Sequence, residues 1–134
     1  PHPSEKEEYY KPISQDLKKQ NKKIQLFKKN YDFKLVIQKS KMLVCTYPET
    51  TFTLSMLSGV PTILILDKSM FKFLNPKFRN LINKLLRSKI LFYNSSEAAK
   101  HINNVIDNPL KWYNSIYVKK IRMEYLKITF GLSK

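Results

Sequence analysis

The chain reads as an α/β domain, and three observations predict that class. Met42–Thr46 and Thr62–Leu66 are short, nearly continuous apolar runs, the pattern of strands covered on both faces. Segments with helical periodicity alternate with those runs, most clearly Phe78, Leu81, Ile82, Leu85 and Leu86. Between the two runs, Gly59-Val60-Pro61 ends one short helix and sends the chain into the next strand. Strands alternating with helices build a layered domain with a mostly parallel sheet flanked by helices, here a Rossmann-like half-domain. Its 134 residues make one domain, and 43% hydrophobic content with 13% aromatics suffices for a core.

Taken in order, residues 4–22 are polar, with helical potential over Glu5–Tyr10 and Ile13–Lys19, and Lys23–Phe27 reads as a short strand. Tyr31–Lys39 sets Phe33, Val36 and Ile37 on one helical face. After the first apolar run, the polar turn Thr46–Thr51 leads into a short helix. Gly59 suits the left-handed position that ends it, and Pro61 prevents continuation. Asn75-Pro76 supplies an N-cap and a proline at the first helical position of the Phe78–Leu86 stripe. Lys89–Tyr93 returns as a strand. Asn94 caps the next helix, with Glu97 completing a capping-box arrangement. Ala98, Ile102, Val105 and Ile106 form its apolar face, which leaves His101 on the polar side, exposed. Asn108-Pro109 stops that helix. Trp112 and Tyr113 then anchor a last helix from about Ser115 to Ile128, with Val118, Ile121, Tyr125 and Ile128 aligned. The chain opens with Pro1-His2-Pro3 in what reads as the exit from a strand. The expectation is a sheet lacking its first strand, in a piece of a longer protein.

The turn Thr46–Thr51 is the candidate site. Open α/β sheets hold ligands outside the carboxyl ends of their strands. There the unpaired N–H groups and positive end of a following helix attract phosphate. Thr46, Tyr47, Glu49, Thr50 and Thr51 supply the side chains, while Pro48 removes one donor and fixes the turn. The segment has no P-loop and no Gly-x-Gly-x-x-Gly pattern. The residues alone therefore mark a phosphate location without naming the ligand, and simple helix capping by Thr50 is the structural alternative. Asp67 and Lys68, leaving the next strand, face the same cleft or a solvated loop. His2, at the carboxyl end of the inferred preceding strand, is the candidate catalytic residue, placed to donate to phosphate or shuttle a proton.

Composition narrows the partners. The formal net charge is +15, yet only Arg79, Arg87 and Arg122 among the 25 basic residues are arginine. Nucleic-acid readers rely on arginine for bidentate contacts, so nucleic acid is not the expected partner. Most of the charge reads as solvated surface, with peripheral contact to an anionic membrane face kept open. Cys45 is the single cysteine, inside an apolar run, and reads as a buried structural thiol. It excludes an intrachain disulfide and a cysteine-based metal set, and no metal site is expected. No apolar stretch approaches the roughly 20 residues that span a bilayer. The expected location is cytoplasmic, with any membrane contact at the inner face.

With these residues placed, the chain resembles the carboxyl-terminal half of GT-B-fold glycosyltransferases. More narrowly, it is similar to transferases of bacterial surface-carbohydrate gene clusters. The resemblance rests on Lys39–Tyr47, Thr50-Thr51-Phe52, Gly59–Ile63, Ser96–Ile102 and the Trp112 region, in that order over about residues 35–125. It implies two Rossmann-like domains, with this carboxyl-terminal one, residues 1–134, binding the nucleotide-sugar donor and Thr50 and Thr51 at its phosphates. His2-Pro3 with Thr50-Thr51 also resembles the His-Pro motif and Ser/Thr pair of sialyltransferase-like enzymes that use a CMP-sugar. One departure stands out. Many GT-B enzymes carry a ribose-binding glutamate in the helix before the Gly-x-Pro break, and counting back from Gly59 reaches Leu54. Glu49 substitutes for it, ribose is held otherwise, or donor binding has been lost.

The resulting expectation is sugar transfer, without a metal ion or cofactor, from a nucleotide-sugar to a surface glycan or lipid-linked acceptor. The acceptor's base would lie in a missing amino-terminal domain, leaving this piece inactive alone. The alternatives are a non-catalytic basic module for nucleic acid or anionic polymer and a degenerate transferase scaffold.

Overall fold

A computed structural model of the chain describes residues 39–48 and 50–131, together with residues 35 and 37. Three strands, β1 (Leu43–Cys45), β2 (Thr62–Ile65) and β3 (Leu91–Phe92), pair in parallel in the order β1-β2-β3. Helix α1 (Thr50–Ser58) joins β1 to β2. A 3₁₀ turn (Lys68–Phe73), α2 (Pro76–Arg79) and α3 (Ile82–Arg87) join β2 to β3. Helices α4 (Ser95–Val105), α5 (Pro109–Tyr113) and α6 (Ile116–Thr129) follow. The α/β class and parallel sheet are as the apolar runs predicted. The early helices, the Lys23–Phe27 strand, His2 and Glu49 lie outside the described residues.

Strand pleating sorts the core into two layers. Register pairs Cys45 with Leu64 and Leu64 with Leu91, so these three share one face. That face packs with Phe52, Met56, Leu85, Tyr113 and Tyr125. Ile63 and Ile65 point to the other face, against Ala98, Ala99 and Ile102 of α4. β2 is buried along its whole length, each large side chain contributing about 1.5–3 kcal/mol by leaving water. Two successive crossovers stepping the same way along a parallel sheet, both right-handed, lay their helices on one face. Hence α1, α2 and α3 share the larger layer.

Local signals set most boundaries. Asn75 Oδ1 accepts from Lys77 N–H (2.8 Å), with Pro76 as the first helical residue. Asn94 Oδ1 accepts from the N–H groups of Ser96 (2.8 Å) and Glu97 (3.1 Å). The Glu97 carboxylate pairs with Lys100 (3.5 Å) rather than completing the capping box. Gly59 has φ of +81°, the left-handed conformation expected of it. The Phe78–Leu86 stripe is divided into α2 and α3, with Phe78, Leu81, Ile82 and Leu85 still buried together. Helix α3 ends with Ile90 N–H bonded to Leu85 O (3.1 Å) and Lys89 N–H to Leu86 O (3.1 Å). Lys89, at φ +66°, occupies the position that glycine usually takes in this motif.

The last helix is locked by buried polar contacts. Arg122 Nη1 donates to Tyr113 O (2.9 Å) and Asn114 Oδ1 (2.9 Å), its guanidinium 3.8 Å from the Tyr113 ring centroid. Trp112 Nε1 donates to Ser88 O (2.9 Å), and Tyr113 O–H reaches Met56 Sδ (3.0 Å). Trp112 and Tyr113 therefore do anchor this end of the chain.

Candidate functional site

Thr46, Tyr47 and Pro48 leave the carboxyl end of β1, and Thr50 opens α1. Thr46 and Tyr47 are half-buried; Thr50 and Thr51 are exposed. Among the described residues Thr50 is the first of α1. In the first turn of any helix the leading N–H groups lack intrahelical partners. Here those are the amides of Thr50, Thr51 and Phe52, flanked by two solvent-facing hydroxyls. Helix α1 has no acidic residue in its first turn among the described residues.

Immediately behind this turn the helix is fixed. Phe52 is fully buried, its ring edge-to-face with Tyr125 at 5.3 Å. Tyr125 stacks in turn on Phe78 at 6.1 Å, and its hydroxyl lies 2.9 Å from Thr53 Oγ1. Ser55 Oγ donates to Thr51 O (2.9 Å) from a fully buried position. The amides of the first turn thus project from a rigid support, which is what an anion site requires.

The carboxyl ends of the other strands bring further groups to the same edge of the sheet. Asp67 caps the 3₁₀ turn, accepting from Ser69 N–H (2.8 Å). Lys68 holds its ammonium 5.1 Å above the Tyr93 ring. By topology, Thr46–Thr51, Asp67-Lys68 and Tyr93–Ser96 line one edge. Two concavities, about 370 and 420 Å³, lie at the opposite, amino end; both include Asp107 and Asn108, the first also Ser40, Lys41 and Gly59. Leu54, at the position of the ribose-binding glutamate in the resembling enzymes, points partly to solvent.

Two titratable groups are buried nearby in the fold. Cys45 is 8% exposed, and burial pushes its thiol up to about 12, opposed by a Ser55 hydrogen bond. A rise of three units from 9.0 leaves about a thousandth of the usual thiolate near neutral pH. Native protein at pH 8 is therefore expected to react with a disulfide reagent orders of magnitude more slowly than urea-unfolded protein. Equal rates would contradict the placement.

His101 corrects the sequence reading. It is 6% exposed, lying between the rings of Phe92 (5.6 Å) and Trp112 (4.5 Å). The signal was present, since Ala98, His101, Ile102 and Val105 follow the i, i+3, i+4, i+7 spacing of a buried stripe. Burial, with Lys89 adding repulsion, lowers its pKa from 6.5 to about 4, and its Nε2 has no hydrogen-bond partner among the described residues. Because the unfolded chain binds this proton more readily, stability is full above pH 6.5 and falls towards pH 4. The loss reaches about 3 kcal/mol at 1.36 kcal/mol per unit. Urea midpoints of wild type and His101→Leu between pH 7 and pH 4 should diverge by that order, and parallel curves would contradict it.

Among the described residues no helix is long and apolar enough to cross a membrane. Comparison with curated proteins and with solved structures gives no match. A family model described as LIC12162 family transferase matches residues 1–128, nearly the whole chain. By that match, over an α/β domain with a parallel sheet, the chain belongs to the LIC12162 family of transferases.

Proposed function

We propose that this chain is the nucleotide-sugar-binding domain of a GT-B-type glycosyltransferase. It carries a sugar from a nucleotide donor to a surface glycan or lipid-linked acceptor in the cytoplasm of a bacterium. The observation that carries the reading is the exposed Thr50-Thr51 pair on the first turn of α1, in a chain that belongs to a transferase family. In a transfer step, the bond from the sugar's anomeric carbon to the nucleotide phosphate breaks and negative charge gathers on the departing phosphate. Amides of Thr50, Thr51 and Phe52 with the two hydroxyls would stabilise that charge. Lys68 adds a cation at the same edge, and the Tyr93 face beneath it suits a base or sugar ring. Glu49, on the preceding turn, suits the ribose hydroxyls. The acceptor's base would come from a partner domain. His2 is the proposed donor to phosphate.

Calorimetric titration with UDP, CMP and GDP tests this reading. Saturable binding of one mononucleotide, only mildly weakened by salt, is expected. Failure of all three to bind, beside steeply salt-sensitive binding of a polyanion, would instead favour the basic module that the +15 charge suggests.

A further inference from the structure

Helix α6 has a second face that the core does not use. Val118, Ile121, Arg122 and Tyr125 are buried, which fixes the orientation of the helix. At 100° per residue the outward sector then holds Ile116, Lys119, Lys120, Met123 and Lys127, and Phe130 continues it just past the helix. All six are exposed; Ile116 is 92% exposed, and Met123 and Phe130 are each 49% exposed. The three apolar residues recur at seven-residue intervals, so they form one ridge along the helix rather than scattered single exposures. Lysines flank the ridge on both sides. The sole carboxylate of the helix, Glu124, is held in a surface ion pair with Lys84 Nζ (2.7 Å), so no unpaired negative charge borders the ridge on this helix.

We propose that this face of α6 is a docking surface for an anionic lipid bilayer. Ile116, Met123 and Phe130 insert among the acyl chains near the headgroups. Lys119, Lys120 and Lys127 extend to lipid phosphates, their stems lying along the apolar boundary. Charge complementarity selects this occupant: the ridge is apolar, three lysines border it, its one neighbouring carboxylate is already paired, and the chain carries +15. A nucleic acid would use the lysines but leave a 92% exposed isoleucine without a role. The inference stands independently of the sugar-transfer reading.

Sedimentation of the full chain with phosphatidylcholine vesicles, with and without phosphatidylglycerol, tests it. Binding is expected only with the anionic vesicles. It should weaken by about tenfold or more in Ile116→Ser/Met123→Ser, since each inserted apolar side chain adds to partitioning. Lys119→Gln/Lys120→Gln/Lys127→Gln should weaken it comparably. Both variants alter exposed residues only, and unchanged circular dichroism and melting confirm an intact fold. Absence of binding to anionic vesicles, or binding unaffected by Ile116→Ser/Met123→Ser, overturns the proposal. A lipid-free dimer lost in that variant also overturns it, assigning the ridge to a second copy. So does RNA retention that depends on Ile116 and Met123.

Discussion

Replacing Phe52 with alanine is expected to destabilise the domain by about 3–5 kcal/mol, the range for emptying a large aromatic site in a packed core. Phe52 is fully buried and forms the first link of the chain Phe52–Tyr125–Phe78 that ties α1 to α6 and α2. Its loss removes packing and the edge-to-face contact together, and the cavity lies directly beneath the Thr50-Thr51 turn. A domain of this size has about 5–15 kcal/mol in total, so the variant should sit near its unfolding threshold. Phe52→Leu keeps most of the volume and should cost under about 1.5 kcal/mol. Urea denaturation followed by circular dichroism measures both. A loss below about 1 kcal/mol for Phe52→Ala would mean that α1 does not rest on this contact.

Thr50→Ala/Thr51→Ala should have the opposite profile, with little effect on stability and a large effect on ligand. Both residues are exposed, and surface substitutions outside caps and cores usually fall within about 0.5 kcal/mol. A hydrogen bond to a charged group is worth about 1.5–3 kcal/mol, so losing one or both hydroxyls from a bound phosphate predicts roughly 10- to 100-fold weaker mononucleotide affinity. Thr50→Ser/Thr51→Ser keeps the hydroxyls and should bind nearly as wild type. Calorimetry on the three proteins decides the matter. Equal affinity in all three would leave the hydroxyls without a role in binding.

Much of the fold was legible because its signals are local. Met42–Thr46 and Thr62–Leu66 are apolar enough to require cover on both faces, and each contains an observed strand. Asn75-Pro76, Asn94 and Gly59 act on backbone groups within a few residues, so their roles could be read from sequence and are realised. What escaped depends on distant partners. His101 is polar by type, and only Phe92 and Trp112 give it an aromatic slot. Arg122 sits on the Val118–Ile121–Tyr125 stripe by spacing, but the acceptors Tyr113 O and Asn114 Oδ1 that its Nη1 meets could not be read from that spacing. The division between α2 and α3 is not marked by any Gly or Pro between them. For the candidate site, the strand–turn–helix placement was legible, with Thr50 the first residue of α1.

The most direct test of the proposed phosphate site at the Thr46–Thr51 turn is a resonance-by-resonance titration of the chain with CMP, UDP and GDP by amide NMR. With one of them, the amides of Thr50, Thr51 and Phe52 should shift together and saturate, accompanied by residues near Lys68 and Tyr93. Silence at those amides with all three nucleotides, or shifts confined to Ser40, Gly59 and Asp107 at the opposite end of the sheet, would contradict it.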